Sequence, residues 1–327
     1  MNYFNSVHNL FTFMVINQTK NSKEKALLID IGGTNIRTCK AYIGDKKLHD
    51  PLKKSISCLK DFDSLVKAYL SEDPDLRHLV ISVAGPKFNN SITMTNRDFK
   101  INEKDILNKL DIDTCEILND WESIGHSLRL FNNKDINFIN DGSSFNNVAL
   151  MIGPGTGLGA AIVIDDNLVL PTEVGNTSSM LSGLLKGIDI DDPNSFNVVE
   201  DLISGKGIER IYSHLASDNK SPEEIIELCR DKDRFAKETI ELFIDSMAYL
   251  LSELALTYLP GKGIFLAGGL ARSLQEFINS ENFMKNFLRN RRSMHVDLLS
   301  EIPVGIIQKQ MTCLHGNLAF LSDKLRS

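Results

Sequence analysis

The stretch KALLIDIGGTNIRTCKAYIG, residues 25–44, decides the fold. An apolar run that contains Asp30 and closes on two glycines predicts a buried strand followed by a tight turn. The residues after that turn alternate in polarity, so we expect residues 32–35 to join two strands as a hairpin. The stretch NNVALMIGPGTGLGAAIVIDDNLVLP, residues 146–171, has the same design, since a second glycine turn lies between two apolar strands.

Each hairpin is followed by a series of strands and helices, which predicts an α/β protein of two similar lobes with a ligand cleft between them. We expect an N-terminal extension at 1–24, a small lobe formed by 25–122 and 310–327, and a large lobe at 123–309. The main helices are predicted at about 61–70, 103–110, 121–130, 197–215, 222–229, 233–259 and 312–325.

Composition excludes several classes of protein. A length of 327 residues suits two domains, and a net charge of -7 gives no basic excess for binding a nucleic-acid backbone. The five cysteines have no C-x-x-C spacing, which argues against a disulfide framework or zinc site and for a reducing compartment. No apolar run has the roughly 18 residues needed to span a bilayer, and no secretory signal is recognisable, so we expect a cytoplasmic protein.

The two glycine turns are candidate phosphate-binding sites. Glycines let backbone N–H groups converge on phosphate oxygens, and an aspartate beside such a turn can hold Mg²⁺ through water. The spacing is neither that of the dinucleotide-binding G-x-G-x-x-G motif nor that of the P-loop. The alternative for each turn is an ordinary glycine hairpin. The candidate residues are Asp30, Gly32, Gly33, Thr34 and Asn35 in the first turn and Gly155, Thr156 and Gly157 in the second.

Three further stretches carry candidate ligands. The pair Gly268 and Gly269 follows a strand and could bring backbone close to adenine, or could be only a tight turn. Asn119 and Asp120 end another strand, where a carboxylate can accept a hydroxyl proton, although Asp120 is equally good as a helix N-cap. Glu173, in LVLPTEVGNTSSML, is either a ligand or a solvated loop carboxylate.

Taken in order, these motifs resemble those of the bacterial glucokinases, which belong with the hexokinases to the actin-like ATPase superfamily. The motifs are LIDIGGTNIR, VISVAGP, MTNRDF, LNDWESIG, GPGTGLGAA, EDLISGKGIERIY, LAGGLA and IPVGII with LHGNLAFL, between about residues 26 and 321. The resemblance implies two ribonuclease-H-like lobes that close on ATP, Mg²⁺ and a hexose. It also implies a place in glycolysis and, by analogy alone, a homodimer.

The resemblance assigns roles to these residues. Asp30 looks like the magnesium-side aspartate, and the two glycine turns look like the phosphate hairpins. Gly268 and Gly269 resemble the adenosine motif. Asn119 resembles the sugar-binding asparagine, and Asp120 resembles the catalytic base that takes the proton of the C6 hydroxyl.

One loop departs from the family pattern. The family has Glu-Gly-Gly-His after the second hairpin, and its Glu and His bind sugar hydroxyls; this chain has Glu173-Val174-Gly175-Asn176. A further sugar-binding Glu of the family is matched near Pro193, where Asp191 or Asp192 would have to replace it. These changes affect the identity of the sugar more than the reaction type, because hydroxyl-binding sites discriminate sharply.

We therefore expect an ATP-dependent hexose kinase, with glucose as the leading substrate and substrate contacts from Asn119, Asp120, Glu173 and Asn176. The alternatives are a kinase for another hexose or amino sugar, and a catalytically weak sugar sensor or regulator. Neither a nucleic acid nor a membrane is expected as a partner.

Overall fold

Two sheets with the same strand order form the framework of the computed structural model, which describes residues 24–33, 35–55, 59–94, 100–186 and 196–326. The predicted extension 1–24 therefore lies outside the described residues except for Glu24. The chain divides into two units, of which unit 2 is Asn119–Gly316, while unit 1 ends at Leu118 and resumes at Asn317.

Unit 1 contains a mixed sheet of order β3-β2-β1-β4-β8 and a small sheet of order β5-β6-β7. Strand β1 pairs antiparallel with β2 and parallel with β4. The strands are β1, Lys25–Ile31; β2, Asn35–Tyr42; β3, His49–Ser55; β4, Leu76–Val83; β5, Lys87–Phe88; β6, Ser91–Thr93; β7, Lys100–Asn102; and β8, Thr114–Asn119. The helices are α1, Leu59–Glu72, and α2, Glu103–Lys109.

The core of unit 1 follows from the residue spacing of its elements. Ile29 and Ile31 of β1 are two apart and buried, as expected for one face of a strand. Phe62, Val66 and Tyr69 of α1 are also buried, at the spacing of one helix face, and belong to the same cluster. This packing fixes β1, and with it the turn that follows β1.

Unit 2 repeats the order of the first sheet as β12-β11-β10-β13-β14 and adds β9 beyond β14. Strand β10 is antiparallel to β11 and parallel to β13. Its strands are β9, Ile136–Asn140; β10, Val148–Pro154; β11, Leu158–Ile164; β12, Leu168–Thr172; β13, Gly263–Leu266; and β14, Val304–Ile307. The helices from here to the C-terminus are α3, Asp120–Ser127; α4, Leu181–Leu185; α5, Gly205–Ala216; α6, Pro222–Arg230; α7, Arg234–Tyr258; α8, Gly269–Leu274; α9, Ser280–Phe287; α10, Ser293–Ser300; and α11, Thr312–Lys324.

Strand β10 is buried on both faces, which explains its unbroken apolar sequence. Leu150 and Ile152 belong to the large cluster that includes residues of α5, α6 and α7. Ala149 and Met151 belong to a second cluster together with Ile124 of α3. The sheet of unit 2 thus lies between helical layers, and the end of β10 is held firmly where the second glycine turn begins.

The observed elements differ from the prediction in several places. The helix predicted from residue 197 begins at Gly205, because Ser204 is its N-cap and accepts a hydrogen bond from the Gly207 N–H at 3.3 Å. The loop that follows the second hairpin contains β12 and a 3₁₀ turn, Val174–Asn176. Helices α4, α9 and α10 and strands β3, β5 and β9 were not predicted.

The division of the chain falls after residues 118 and 316, whereas the sequence placed it after 122 and 309. The first difference has a local cause, since Asn119 is the N-cap of α3 and a cap lies with its helix. Among the helices of the described ranges, none combines the length and apolar character of a bilayer-spanning segment.

Candidate functional site

The first glycine turn places a buried carboxylate at the end of β1. Asp30 pairs with Arg37 across the antiparallel β1–β2 ladder and with Ser82 across the parallel β1–β4 ladder. Residues paired across strands project to the same face, so all three side chains meet. Arg37 Nη1 donates to Asp30 Oδ2 at 2.7 Å, and Ser82 Oγ donates to Oδ1 at 3.1 Å. Asp30 is 4% exposed, so its orientation is fixed before any ligand binds.

The turn itself is closed by a hydrogen bond from the Gly32 N–H to the Asn35 carbonyl at 2.9 Å. Gly33 is exposed, and a Cβ placed on it would meet no atom within 4 Å. Its backbone is therefore open to a ligand, as the predicted phosphate contact requires. Thr34, the remaining candidate of this turn, lies outside the described residues.

The surroundings of Asp30 decide whether this residue could hold magnesium as predicted. No group of three or more Asp, Glu, His or Cys side chains able to hold a metal ion occurs in the part of the chain that the structure describes. Mg²⁺ ordinarily keeps several waters and takes one or two carboxylates together with substrate phosphates. A single carboxylate whose oxygens already accept from Arg37 and Ser82 fits an ion held by nucleotide and water.

The second glycine turn joins β10 to β11, which are paired up to Pro154 and Leu158. A hydrogen bond of 2.7 Å from the Gly155 N–H to the Gly157 carbonyl closes it. Gly155 and Thr156 are exposed, and a Cβ on Gly155 would meet nothing within 4 Å. This turn therefore presents accessible backbone and a threonine hydroxyl, the donors expected of a phosphate site.

Gly268 and Gly269 lie beside the same turn. Gly268 has a φ of +112°, a conformation that favours glycine, and it precedes the first residue of α8. A Cβ on Gly268 would lie 3.6 Å from the Pro154 carbonyl oxygen, and one on Gly269 would meet nothing within 4 Å. The structure thus brings two of the predicted nucleotide motifs together in unit 2.

Asn119 and Asp120 lie at the start of helix α3. The structure does not make Asp120 the N-cap, which was the alternative to its catalytic role. The N-cap is Asn119, whose Oδ1 accepts from the backbone N–H of Trp121 at 2.9 Å and of Glu122 at 3.2 Å. Glu122 Oε2 accepts in return from the Asn119 N–H at 3.1 Å, which completes a capping box. Asp120 is the first helical residue, where the helix dipole favours a carboxylate.

Glu173 and Asn176 bond to each other at the start of the loop after β12. Asn176 Nδ2 donates to Glu173 Oε2 at 3.1 Å, and the Asn176 N–H donates to the Glu173 carbonyl at 3.0 Å. Both residues are exposed, whereas Val174 and Gly175 between them are buried. Gly175 has no room for a side chain, because a Cβ there would overlap the Leu158 carbonyl oxygen. The loop is thus packed directly against the start of β11.

Glu200 is the acidic residue that sequence reasoning missed. Its Oε2 accepts a hydrogen bond from the Leu158 N–H at 3.1 Å. The same oxygen would lie 2.5 Å from a Cβ on Gly157 and 3.2 Å from one on Gly175. The Glu200 carboxylate therefore lies between the second glycine turn and the Glu173 loop.

Glu200 is the first residue of the stretch EDLISGKGIERIY, one of the motifs that resemble the family. No role was predicted for Glu200 from the sequence. The further acidic ligand predicted near Pro193, with Asp191 or Asp192 as a substitute, lies outside the described residues. The carboxylate that the structure brings to the loop comes instead from the short 3₁₀ turn Val199–Asp201. The signal available in the sequence was a glutamate four positions before Ser204, the capping serine of α5.

The sequence model of the glucokinase family matches residues 27–324. The chain belongs to the glucokinase family. The glucokinase of Nostoc sp. (strain PCC 7120) is 28% identical, with 88% of this chain and 96% of that protein aligned. The resemblance deduced from the ordered motifs, and the expectation of an ATP-dependent hexose kinase, are thereby confirmed.

Solved glucokinase structures share the fold. That of an Antarctic psychrotroph superposes with a TM-score of 0.76 at 22% identity and covers 92% of this chain and 100% of its own. The glucokinase of Balamuthia mandrillaris in complex with glucose has a TM-score of 0.74 at 16% identity, with 98% and 99% covered. The α/β fold predicted from the glycine hairpins, which the structure shows to contain mixed sheets, is therefore shared with these solved glucokinases.

Proposed function

We propose that this member of the glucokinase family transfers the terminal phosphoryl group of ATP to the C6 hydroxyl of glucose. The observation that carries the choice of a sugar site is the position of Glu200. Its carboxylate contacts the second glycine turn at Leu158 and Gly157, and it lies against Gly175 of the loop that holds Glu173. Acceptors for sugar hydroxyls are thereby gathered beside donors for phosphate.

Each sugar-site residue has a role that its chemistry supports. Asp120 is the base that accepts the proton of the attacking hydroxyl. Because Oδ1 of Asn119 caps α3, a sugar hydroxyl would meet its Nδ2 group, which donates. Glu173 and Glu200 accept hydrogen bonds from other hydroxyls, and Asn176 orients Glu173 through the 3.1 Å bond.

The nucleotide is assigned to the glycine-rich turns. Gly32, Gly33, Thr34 and Asn35 of the first turn, and Gly155, Thr156 and Gly157 of the second, supply N–H and hydroxyl donors to phosphate oxygens. Gly268 and Gly269 admit the adenosine close to the backbone. Asp30 would hold a magnesium ion through water, and the ion would supply neutralisation of the phosphate charge. The protein's part in catalysis is then positioning and electrostatic stabilisation.

The repeated strand order supports a further proposal about architecture. In each unit an antiparallel hairpin pair lies next to a parallel strand, in the orders β3-β2-β1-β4-β8 and β12-β11-β10-β13-β14. We assign both units to the ribonuclease-H-like lobes of the actin-like ATPase architecture. A cytoplasmic location, a step in glycolysis and a homodimer remain proposals that rest on the family alone.

A second candidate is a kinase for another hexose or an amino sugar. It is favoured by Asn176, which occupies the position of the histidine in the family pattern. The asparagine side chain is shorter than that of histidine and is never charged. Against it, Asn176 keeps one oxygen of Glu173 oriented. A catalytically weak sugar sensor is the third possibility, and the placement of Asp120 at a helix start argues for chemistry instead.

The test is ADP release measured by a coupled assay over a panel of hexoses and amino sugars, with Asp120→Asn as the inactive control. Turnover on glucose that is lost in Asp120→Asn supports the proposal. Turnover restricted to another sugar supports the second candidate. A sugar that raises Tm without any turnover supports the sensor, and full activity in Asp120→Asn would remove Asp120 as the base.

A further inference from the structure

We infer that Trp121, the single tryptophan of the chain, is a positioning residue that holds the Asp120 carboxylate in register with the second glycine turn. The inference rests on the proposed function, because it takes Asp120 as the base. It assigns a role to a residue that touches neither substrate in the proposal. Both the backbone and the side chain of Trp121 take part.

The backbone N–H of Trp121 donates to both neighbours that the proposal places at the sugar. It bonds Asn119 Oδ1 at 2.9 Å and Asp120 Oδ1 at 3.0 Å. One donor therefore orients two functional side chains. Any displacement of the Trp121 backbone moves the amide of Asn119 and the carboxylate of Asp120 together.

The indole is held at the base of the glycine hairpin. Gly153 and Gly159 face each other across the β10–β11 ladder, and each is two positions from the nearest residue of the turn at 155–157. A Cβ on Gly159 would overlap the indole, with Nε1, Cδ1 and Cε2 as the nearest atoms, and a Cβ on Gly153 would lie 2.9 Å from Cη2. The glycine pair thus forms a slot, defined by Gly153 and Gly159, that the indole fills.

The remainder of α3 is fixed by equally close contacts. A Cβ on Gly125 would overlap Val169 of β12 and lie 3.3 Å from Val163 of β11, so helix and sheet touch at the backbone. Ser123 Oγ donates to the Cys313 carbonyl at 2.6 Å. Because these contacts hold the body of the helix, the indole in its slot sets the position of the first helical turn relative to the hairpin. The hairpin carries the phosphate donors, so Trp121 couples base and phosphate placement.

The slot is tested by substituting both sides of it. Trp121→Leu and Trp121→Phe empty the slot fully and partly, Gly159→Ala expels the indole, and Gly159→Ala combined with Trp121→Leu removes the clash. We expect kcat on glucose to fall about ten-fold or more in Trp121→Leu and in Gly159→Ala, with a smaller loss in Trp121→Phe, because misplacement of reacting groups acts on kcat. The KM for ATP should change by less than about three-fold, since the turn at 155–157 is untouched.

Two readouts separate positioning from loss of stability. The pH dependence of kcat/KM should change in Trp121→Leu, because it reports the free enzyme's base. In the Trp121→Leu background, Gly159→Ala should reduce kcat by less than about two-fold, since residues in contact give non-additive effects.

Phe138→Leu is the matched control, because Phe138 packs on the same core cluster from β9, at the other edge of the sheet. It should lower Tm and leave kcat and the pH profile unchanged.

Full kcat in Trp121→Leu, or equal losses from Gly159→Ala in both backgrounds, would overturn the inference while the kinase assignment stands. If the wild-type protein phosphorylates no sugar of the panel, the proposed function fails and the slot is judged separately by fluorescence. Gly159→Ala must then shift the emission of the single tryptophan to longer wavelength, as the indole is displaced. An unchanged spectrum would refute the slot itself, and this arm also serves if Trp121→Leu does not fold.

Discussion

Asn176 Nδ2 lies 3.1 Å from Glu173 Oε2, so the residue that departs from the family pattern is bonded to the residue that keeps it. Glu173 is the N-cap of the 3₁₀ turn that ends at Asn176, and the buried residues between them pack this turn against β11. The amide thus restricts the rotamers of an exposed carboxylate before any sugar binds. Without Asn176, the Glu173 side chain would be ordered only when the sugar binds, and the lost entropy would lower the affinity for the sugar.

Asn176→Ala should therefore weaken sugar binding more than it slows the chemistry. A hydrogen bond to a charged group contributes about 1.5 kcal/mol or more, so the KM for glucose should rise about ten-fold with a smaller change in kcat. Asn176→Asp should be worse, because it places a second negative charge beside Glu173. Steady-state kinetics on glucose measure both. Ser179→Ala, at an exposed position of the same loop, is the matched control. A KM that is unchanged in Asn176→Ala would remove Asn176 from the sugar site.

Glu200 should be needed for both the shape and the charge of the site, and two substitutions separate these needs. Glu200→Ala removes the acceptor of the Leu158 N–H, so we expect the free energy of unfolding to fall by about 1–3 kcal/mol together with sugar affinity. Glu200→Gln retains an acceptor and should keep Tm close to that of the wild type while sugar affinity still falls.

Chemical unfolding and the KM for glucose provide the two measurements for Glu200. Glu223→Gln, an exposed position at the start of α6, is the control for a change of charge alone. Wild-type affinity for glucose in Glu200→Gln would contradict the assignment of this carboxylate to the sugar.

The Asp30–Arg37 pair should stabilise unit 1. Asp30 is buried while Arg37 is partly exposed, and their atoms are 2.7 Å apart. Removal of one partner from a buried pair is costly because it leaves an uncompensated charge. We expect Arg37→Leu to lower the free energy of unfolding by about 1–3 kcal/mol. Arg77→Leu, which removes a more exposed pair with Asp111 and Asp113, should change the free energy of unfolding much less, because solvent screens exposed ion pairs.

Asp30→Asn provides the functional comparison at the same pair. It retains an acceptor for Ser82 but loses the charge that the proposal directs at magnesium. The KM for magnesium should rise, with folding preserved, when ADP release is followed over a range of Mg²⁺ concentrations. A magnesium dependence identical to that of the wild type would show that Asp30 serves the fold alone.

The sequence was sufficient for the parts of the fold and site that are local. The glycine turns predicted both hairpins because an apolar run broken by two glycines leaves little choice of structure, and β1, β2, β10 and β11 lie where expected. Residues whose role depends on a distant neighbour were not recovered. Glu200 is 42 positions from Leu158, the residue it bonds, and no local pattern encodes that contact.

The contact between Trp121 and Gly159 was not predicted either, because the two residues are distant in the sequence. Gly159 reads as one more glycine of a turn, and only the packing of α3 shows that it must lack a side chain. The alternative of Asp120 as the N-cap of α3 was one position late, because Asn119 is the cap and Asn and Asp are nearly equivalent as N-caps. The helix predicted from residue 197 begins eight residues later, at Gly205. Ser204 caps its N-terminus, and this local signal overrides the apolar periodicity of the residues before it.

His315 should make the stability of the protein fall at mildly acidic pH. It is buried on α11, and no partner for its Nδ1 is found within the described residues. Burial, reinforced by the positive charge of Lys309 and opposed by Asp135, lowers the pKa of His315 from 6.5 to about 4. The unfolded chain binds this proton below about pH 6.5 and the folded chain does not, so stability is complete above that pH and is lost as pH falls toward 4. The loss should reach about 3 kcal/mol, since one unit of pKa shift corresponds to about 1.4 kcal/mol.

His315→Gln cannot titrate and should flatten the free energy of unfolding between about pH 6.5 and 4. Chemical unfolding at a series of pH values measures this slope, and His295→Gln is the control for removal of a histidine elsewhere in unit 2. If the slope of the wild type persists in His315→Gln, other groups are responsible for the acid sensitivity. The carboxylates whose pKa is lowered by partners, such as Asp201 with Arg210, would then be the ones to substitute, although burial of Asp201 opposes that shift.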